Sequence, residues 1–250
     1  MPDLMNNHVT AVILAAGKGT RMNSGKAKVL HCLAGKPMIN YVLDAACQIS
    51  GNSVTVVVGT QAEEVEKVVS RHFPVRFARQ ARQLGTGHAV LCALPALPED
   101  ARHVLILCGD VPMITSHTLS RLVSQHTGEG NDLTVLGARI DDPTGYGRLR
   151  QRADGTVASI VEEADATAEE KGIRTVNAGI YCAERHFLTQ ALLQIQNHNA
   201  QSEMYLTDIV GIGARDQKRI GLLLCTDFLE ISGINTQPDL QKVEALISSK

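Results

Sequence analysis

Three things are scarce in this sequence, and each absence narrows the reading. Charge imbalance is the first. Lys and Arg total 24 against 26 Asp and Glu, a net charge of -2 over 250 residues, so no global field draws the chain to nucleic acid or to a membrane surface. Long apolar runs are the second. The longest early one, Val9–Ala16, is too short to span a bilayer and has no basic residue before it, which predicts a cytoplasmic protein with no membrane partner. Paired cysteines are the third. Cys32, Cys47, Cys92, Cys108, Cys182 and Cys225 include no C-x-x-C pair, and most sit in apolar runs, as expected of buried, reduced thiols. Repeats, low-complexity tracts and linkers are also missing, so one domain over 1–250 is expected. With 44% hydrophobic and 20% charged residues, the composition is that of an ordinary globular chain.

Against this neutral background stands "LAAGKGTRMNSGKAK", Leu14–Lys28, with four cations (Lys18, Arg21, Lys26, Lys28), three glycines and no acid. It follows the apolar stretch Val9–Leu14, a predicted strand. Beyond it the pattern alternates. Helices are expected at Pro37–Ile49, with the proline in the first turn, and at Gln61–Ser70, Thr86–Leu94 and Ile114–Val123. Strands are expected at Ser53–Val58, Val75–Ala78 and His103–Cys108, the last reading "HVLILC" and therefore covered on both faces. After about Asn131 the chain turns β-rich: Leu133–Ile140, Arg148–Gln151, Val157–Glu162 and Val176–Cys182, with a turn at Ala153–Gly155. A final helix is expected near Pro238–Ser248. The fold class is α/β, a Rossmann-like doubly wound, mostly parallel sheet with a β-rich antiparallel extension. It divides into a half of about 9–130, a half of about 131–235 and a C-terminal helix over 236–250.

A glycine-rich loop between strand and helix offers backbone N–H groups to phosphate oxygens. Two common loops fail on spacing. G-x-G-x-x-G needs a third glycine where Met22 stands, and the P-loop needs four residues between its glycines where Gly19 and Gly25 have five, with Ala27 after Lys26. On residues alone the loop is either a phosphate cradle or a basic surface loop.

Further motifs narrow the choice: "LAAGKGTRM" with "VLHCLAGKPM", then "QLGTGHA" (Gln83–Ala89), "GDVP" (Gly109–Pro112), "DDPTGYGR" (Asp141–Arg148), "IVEEADAT" (Ile160–Thr167), "NAGIY" (Asn177–Tyr181), "YLTDI" (Tyr205–Ile209) and "GIN" (Gly233–Asn235). In this order, from Val9 to Asn235, the chain resembles the uridyltransferase domain of the bacterial bifunctional N-acetylglucosamine-1-phosphate uridyltransferase / glucosamine-1-phosphate acetyltransferases. The resemblance implies the nucleotide-diphospho-sugar transferase fold. It implies transfer of UMP from UTP to N-acetylglucosamine 1-phosphate with release of pyrophosphate. The attacking phosphate is already an anion, so alignment and charge neutralisation are the work required, not a protein nucleophile.

The resemblance also implies roles. Arg21 and Lys28, helped by Lys18, take the phosphates, with Asp110 as the third catalytic residue. Asp110 and Asn235 hold Mg²⁺, a hard cation that suits such oxygens. The alternative for Asp110, a helix N-cap, is already served by Thr115 or Ser116. Leu14, Ala15, Ala16, Gly17, Gly19, Thr20, Gln80, Gln83, Gly85, Thr86 and Gly109 surround the nucleotide, with Gln80 reading the uracil edge; a surface reading remains for Gln83, and solvation for Lys26. Gly147, Glu162 and Asn177 face the sugar. The chain departs from the family at Ala27 (usually proline), at Cys108 (often tyrosine) and at Glu163-Ala164 (commonly His-Lys). No hexapeptide repeat of the acetyltransferase half is present, so the expectation is a monomer or weak dimer without that second activity. Related readings are another sugar-1-phosphate nucleotidyltransferase and a sugar-nucleotide-binding module without turnover.

Overall fold

The computed structural model describes residues 8–248. Strand β1 (Val9–Ala15) leads into a loop with two 3-10 turns, Thr20–Met22 and Lys28–Leu30, and a short hairpin, β2 (Cys32–Leu33) against β3 (Lys36–Pro37). There follow α1 (Met38–Ser50), β4 (Val54–Val58), α2 (Ala62–Val69), β5 (Arg76–Arg79), α3 (Thr86–Ala93), β6 (His103–Cys108) and α4 (Ser116–Gly128). The second half contains β7 (Leu133–Arg139), β8 (Arg148–Gln151), β9 (Val157–Val161), α5 (Ala168–Lys171) and β10 (Thr175–Glu184). It closes with α6 (Arg185–Leu192), α7 (Asp208–Arg215), β11 (Ile220–Cys225) and α8 (Gln237–Ser248).

One sheet runs through the molecule in the order β11-β7-β10-β6-β1-β4-β5, with β8 attached to β10 and β9 to β8. Strands β6, β1, β4 and β5 are parallel. Strand β10 is antiparallel to both β6 and β7, while β11 is parallel to β7. The second half is therefore not antiparallel throughout; the reversal is concentrated in β10 and the β8–β9 hairpin.

Alternation along the central strands fills both faces, as period two requires. Ala11 and Ile13 of β1 with Leu105 and Leu107 of β6 pack under α1, α2 and α4. Val12 with Val104 and Ile106 points to the other face, under α3, α6 and α7. A third cluster joins the β2–β3 hairpin to α8 through Leu33, Met38, Ile234 and Leu240.

Several details differ from expectation. Pro37 caps α1 rather than opening its first turn, because it pairs with Cys32 in the hairpin. Helix α4 runs five residues past Val123, and its start is capped by Thr115 Oγ1, which accepts Thr118 N–H at 3.2 Å. Helices α6 and α7 and strand β11 had no expected counterpart. The thiols are all free, but only Cys182 and Cys225 are buried, and Cys32 is exposed on its two-residue strand. The last two residues of the expected 236–250 helix lie outside the described residues. Among the described residues, no helix is long and apolar enough to cross a membrane.

Candidate active site

The ends of β1 and β6 are tied together where Gly109 N–H donates to Leu14 O at 2.9 Å. The basic loop then doubles back over this junction. Gly19 has φ +61°, and a Cβ there would lie 2.7 Å from Lys28 Cβ, so only glycine lets the loop close this tightly. Gln61 Nε2, at the start of α2, holds the middle of the loop by donating to Gly25 O at 2.6 Å.

This folding brings four distant residues together. The Lys28 ammonium donates to Asp110 Oδ2 and lies 3.1 Å from Asn235 Oδ1. Arg21 Nη2 donates to the same Asn235 oxygen at 2.9 Å. Asn235 is itself set by the start of α8: Asp239 Oδ2 accepts the N–H groups of Asn235 and Thr236 at 3.0 and 2.8 Å. Ile234 N–H donates to Asp110 O at 2.8 Å, which locks the two segments side by side.

Two cavities meet at this cluster. The first, about 400 Å³, is lined by Leu14, Ala15, Ala16, Gly17, Lys18, Gly19, Thr20, Arg21 and Lys28 from the loop, and by Gln80, Gln83, Gly85 and Thr86 across from it. Gln83 Nε2 donates to Ala16 O at 2.9 Å and so joins the two walls. Gln80 Nε2 donates to Gly85 O at 2.9 Å, which leaves Oε1 as the acceptor this side chain can offer a base edge. The second cavity, about 540 Å³, is lined by Thr144–Gly147, Glu162, Asn177 and Gly179. Arg21, Cys108, Asp110 and Asn235 line both. Gly109 and Lys26 line neither; Gly109 acts through its bond to Leu14, and Lys26 is exposed.

The second cavity is shaped from within the β-rich half. Strand β10 shifts register between Asn177 and Ile180, a bulge of the kind that re-aims side chains beside a site. Asn177 braces it: Nδ2 donates to Tyr181 OH at 2.7 Å and Oδ1 accepts Gly179 N–H at 3.0 Å. Glu162 Oε1 accepts from Thr207 Oγ1 at 2.9 Å. Burial pushes the Glu162 carboxyl up, the Thr207 bond pulls it partly back, and Asp208 and Asp165 add to the rise. Desolvation of the half-buried Cys108, then the nearby Asp110 charge, pushes its thiol up to about 12, and it lines both cavities as a neutral group. The loop over Thr144–Gly147 hangs on Arg148, whose side chain is 2% exposed. Its Nη2 pairs with Glu163 Oε2 at 2.7 Å, and Nη1 donates to Tyr146 O. Glu163 also accepts Gly145 N–H at 3.2 Å.

The donor set fits a hard cation. One ammonium already bridges Asp110 Oδ2 and Asn235 Oδ1, so a carboxylate oxygen and an amide oxygen converge on a point that attracts positive charge. No cluster of three His, Cys, Asp or Glu able to hold a metal exists among the described residues. Mg²⁺ takes one or two protein oxygens and completes its shell with phosphates and water, so Asp110 and Asn235 are the residues that could hold it.

Some lining residues escaped the motif reading. Glu203 lines the first cavity and Asp239 the second. Gly59 does not line either, but a Cβ there would lie 2.5 Å from Ala16 O and 2.7 Å from Gln83 Nε2. Its signal in the sequence is only its place at the end of β4.

Residues 11–177 match the family model of the MobA-like NTP transferase domain. The bifunctional protein GlmU of Geotalea uraniireducens is 45% identical over 248 residues, which cover 98% of this chain and 53% of that protein. The protein of the same name from Geobacter metallireducens is 48% identical over 232 residues, 93% of this chain and 49% of that one. The chain thus spans about half the length of the curated relatives it matches. A crystal structure of a protein described as a glucose-1-phosphate thymidylyltransferase, from Bacillus anthracis, shares the fold with TM-score 0.72 at 18% identity, covering 95% of this chain and 94% of that one.

Proposed function

The chain belongs to the MobA-like NTP transferase family, and on that premise we propose that it transfers UMP from UTP to N-acetylglucosamine 1-phosphate, releasing UDP-N-acetylglucosamine and pyrophosphate. The observation that carries the reading is the meeting of two cavities on Arg21, Asp110 and Asn235. A triphosphate in the first and a sugar phosphate in the second would face each other there. The kinship to proteins named GlmU supports the choice of nucleotide and sugar, and with it a cytoplasmic role in supplying cell-wall precursors.

In this reading a phosphate oxygen of the sugar phosphate forms the new bond to the α-phosphorus of UTP. The bond from that phosphorus to the bridging oxygen breaks, and pyrophosphate leaves with its electron pair. No proton has to be abstracted, so the residues act by placement and charge. Lys18, Arg21 and Lys28 receive the phosphates, arginine through its fork and lysine as a point charge. Backbone of the glycine loop lies against the triphosphate, and Gln80 takes the base edge. Glu162 and Asn177 receive sugar hydroxyl and amide groups, and Gly147 lets backbone approach them. Asp110 and Asn235 would hold Mg²⁺, which supplies charge neutralisation between the two phosphates when bound.

The test is pyrophosphate release with Mg²⁺, crossing UTP, CTP, GTP and dTTP with N-acetylglucosamine 1-phosphate, glucosamine 1-phosphate and glucose 1-phosphate. Release with UTP and the N-acetylated sugar alone is expected. Release with another pair moves the substrate while keeping the mechanism. UTP binding without release from any pair refutes transfer by this chain.

A further inference from the structure

Between α6 and α7 the chain has no helix or strand from Leu193 to Thr207, yet it is bonded to both cavities, by its backbone on one side and by a side chain on the other. Met204 N–H donates to Leu84 O at 2.7 Å, and Met204 O accepts Gly87 N–H at 2.8 Å. Leu206 N–H donates to Thr86 Oγ1 at 3.0 Å. These bonds lay residues 204–206 across the loop that closes the first cavity. The next residue turns the other way: Thr207 Oγ1 donates to Glu162 Oε1 at the second cavity. Thr207 is buried, and its hydroxyl is not spent on α7, which takes no side-chain cap from it.

We infer that Thr207 is a positioning residue for the sugar side of the site: its hydroxyl holds the Glu162 carboxylate in the orientation and charge state that accept from sugar hydroxyls, and ties it to the loop that receives the base. The inference rests on the uridyltransfer reading and deepens it. The surroundings of Glu162 leave this job to Thr207. Asp165 follows on the same turn, Asp208 faces it from α7 and Tyr205 from the strap. Tyr181 faces it from β10 and Cys108 from β6. All are acids or neutral weak acids, so none of them lends the carboxylate positive charge. A hydroxyl donor favours the ionised form; removing it moves the carboxyl further up.

The test is Thr207→Val, nearly the same shape without the hydroxyl, with Thr207→Ser as the rescue. Losing a hydrogen bond to a charged acceptor corresponds to about tenfold or more in affinity. In Thr207→Val, KM for N-acetylglucosamine 1-phosphate is expected to rise by about that factor, while the Kd for UTP stays as in the parent and Tm falls by no more than about 4–8 °C, the cost of one such bond. The acid limb of kcat/KM should move to higher pH, and Thr207→Ser should restore both. A parent-like KM with an unmoved acid limb overturns the inference. So does a joint loss of UTP binding and thermal stability, which marks Thr207 as ordinary packing. If Thr207→Val does not fold, Thr207→Ala against Thr207→Ser gives the same comparison. If the parent chain turns over no sugar phosphate, the uridyltransfer reading has failed on its own. Titration of the Glu162 carboxyl by NMR then still decides: an upward move in Thr207→Val upholds the positioning role, and no move refutes it.

Discussion

Glu163→Gln tests how the sugar-side loop is held. The substitution keeps the length of the side chain and removes its charge from Arg148, whose side chain is 2% exposed while Glu163 is 33% exposed. Breaking a fully buried pair costs about 3–5 kcal/mol. Here one partner reaches water, and Arg148 keeps Tyr146 O and Lys171 O, so a charge-assisted hydrogen bond of about 2 kcal/mol is the better measure. For a domain of this size each kcal/mol moves Tm by about 2–4 °C, which gives a fall of about 4–8 °C at pH 7. The pH dependence follows from the lowered Glu163 carboxyl, held down by Arg148 first and helped by Gly145 N–H. A depressed acid stabilises above its unfolded pKa and loses that contribution as pH falls through the folded one. The gap between parent and variant should therefore be full at neutral pH and close at acid pH, below about 4. Calorimetry across pH reads both. A Tm within about 1 °C of the parent at pH 7, or a gap that persists unchanged at pH 3, refutes the account.

Arg21→Ala should cut pyrophosphate release at least a hundredfold with Tm unchanged; an unaltered rate removes Arg21 from the phosphate site. Asp110→Asn should lose most Mg²⁺-dependent turnover and keep the far-UV spectrum of the parent. Gly59→Ala should weaken UTP binding in calorimetry, because its Cβ, 2.7 Å from Gln83 Nε2, pushes that amide off Ala16 O; overpacking of this kind also costs about 1–3 kcal/mol. His126→Gln should flatten the acid side of the stability curve. Burial, then His103, pushes His126 down to about 4, so the unfolded chain binds the extra proton between about 6.5 and that value, and parent stability falls across this window. An identical slope in the variant excludes His126 as the source.

The sequence made the lining of the first cavity legible and left part of the second hidden. Strands such as "HVLILC" were readable because full burial on both faces demands a continuous apolar run, and His103–Cys108 is β6 to the residue. The glycine loop was readable because four cations and three glycines without an acid stand out from a neutral background. Helix α7, "DIVGIGAR", was not: two glycines in eight residues weaken the helical signal, and a Cβ at Gly213 would lie 2.8 Å from Ile220 Cδ1 and 3.0 Å from Phe187 Cζ, a requirement set by partners distant in sequence. The strap at Met204–Leu206 was hidden for another reason. It works through backbone N–H and C=O groups, which every residue carries. Glu163 was seen only as a departure; its pairing with buried Arg148 depends on the register of β8 with β9.

The reversed strand β10 has one more effect. Because it runs against β6, its beginning lies at the end of β6, and the stretch from Asn177 faces the same opening as Asp110. On the proposed reading, the two substrates would thereby be set against one ruler, the spacing of neighbouring strands, about 4.8 Å. On that reading, the outer hairpin could be rewritten for a different acceptor while the junction of β1 and β6 stays as it is.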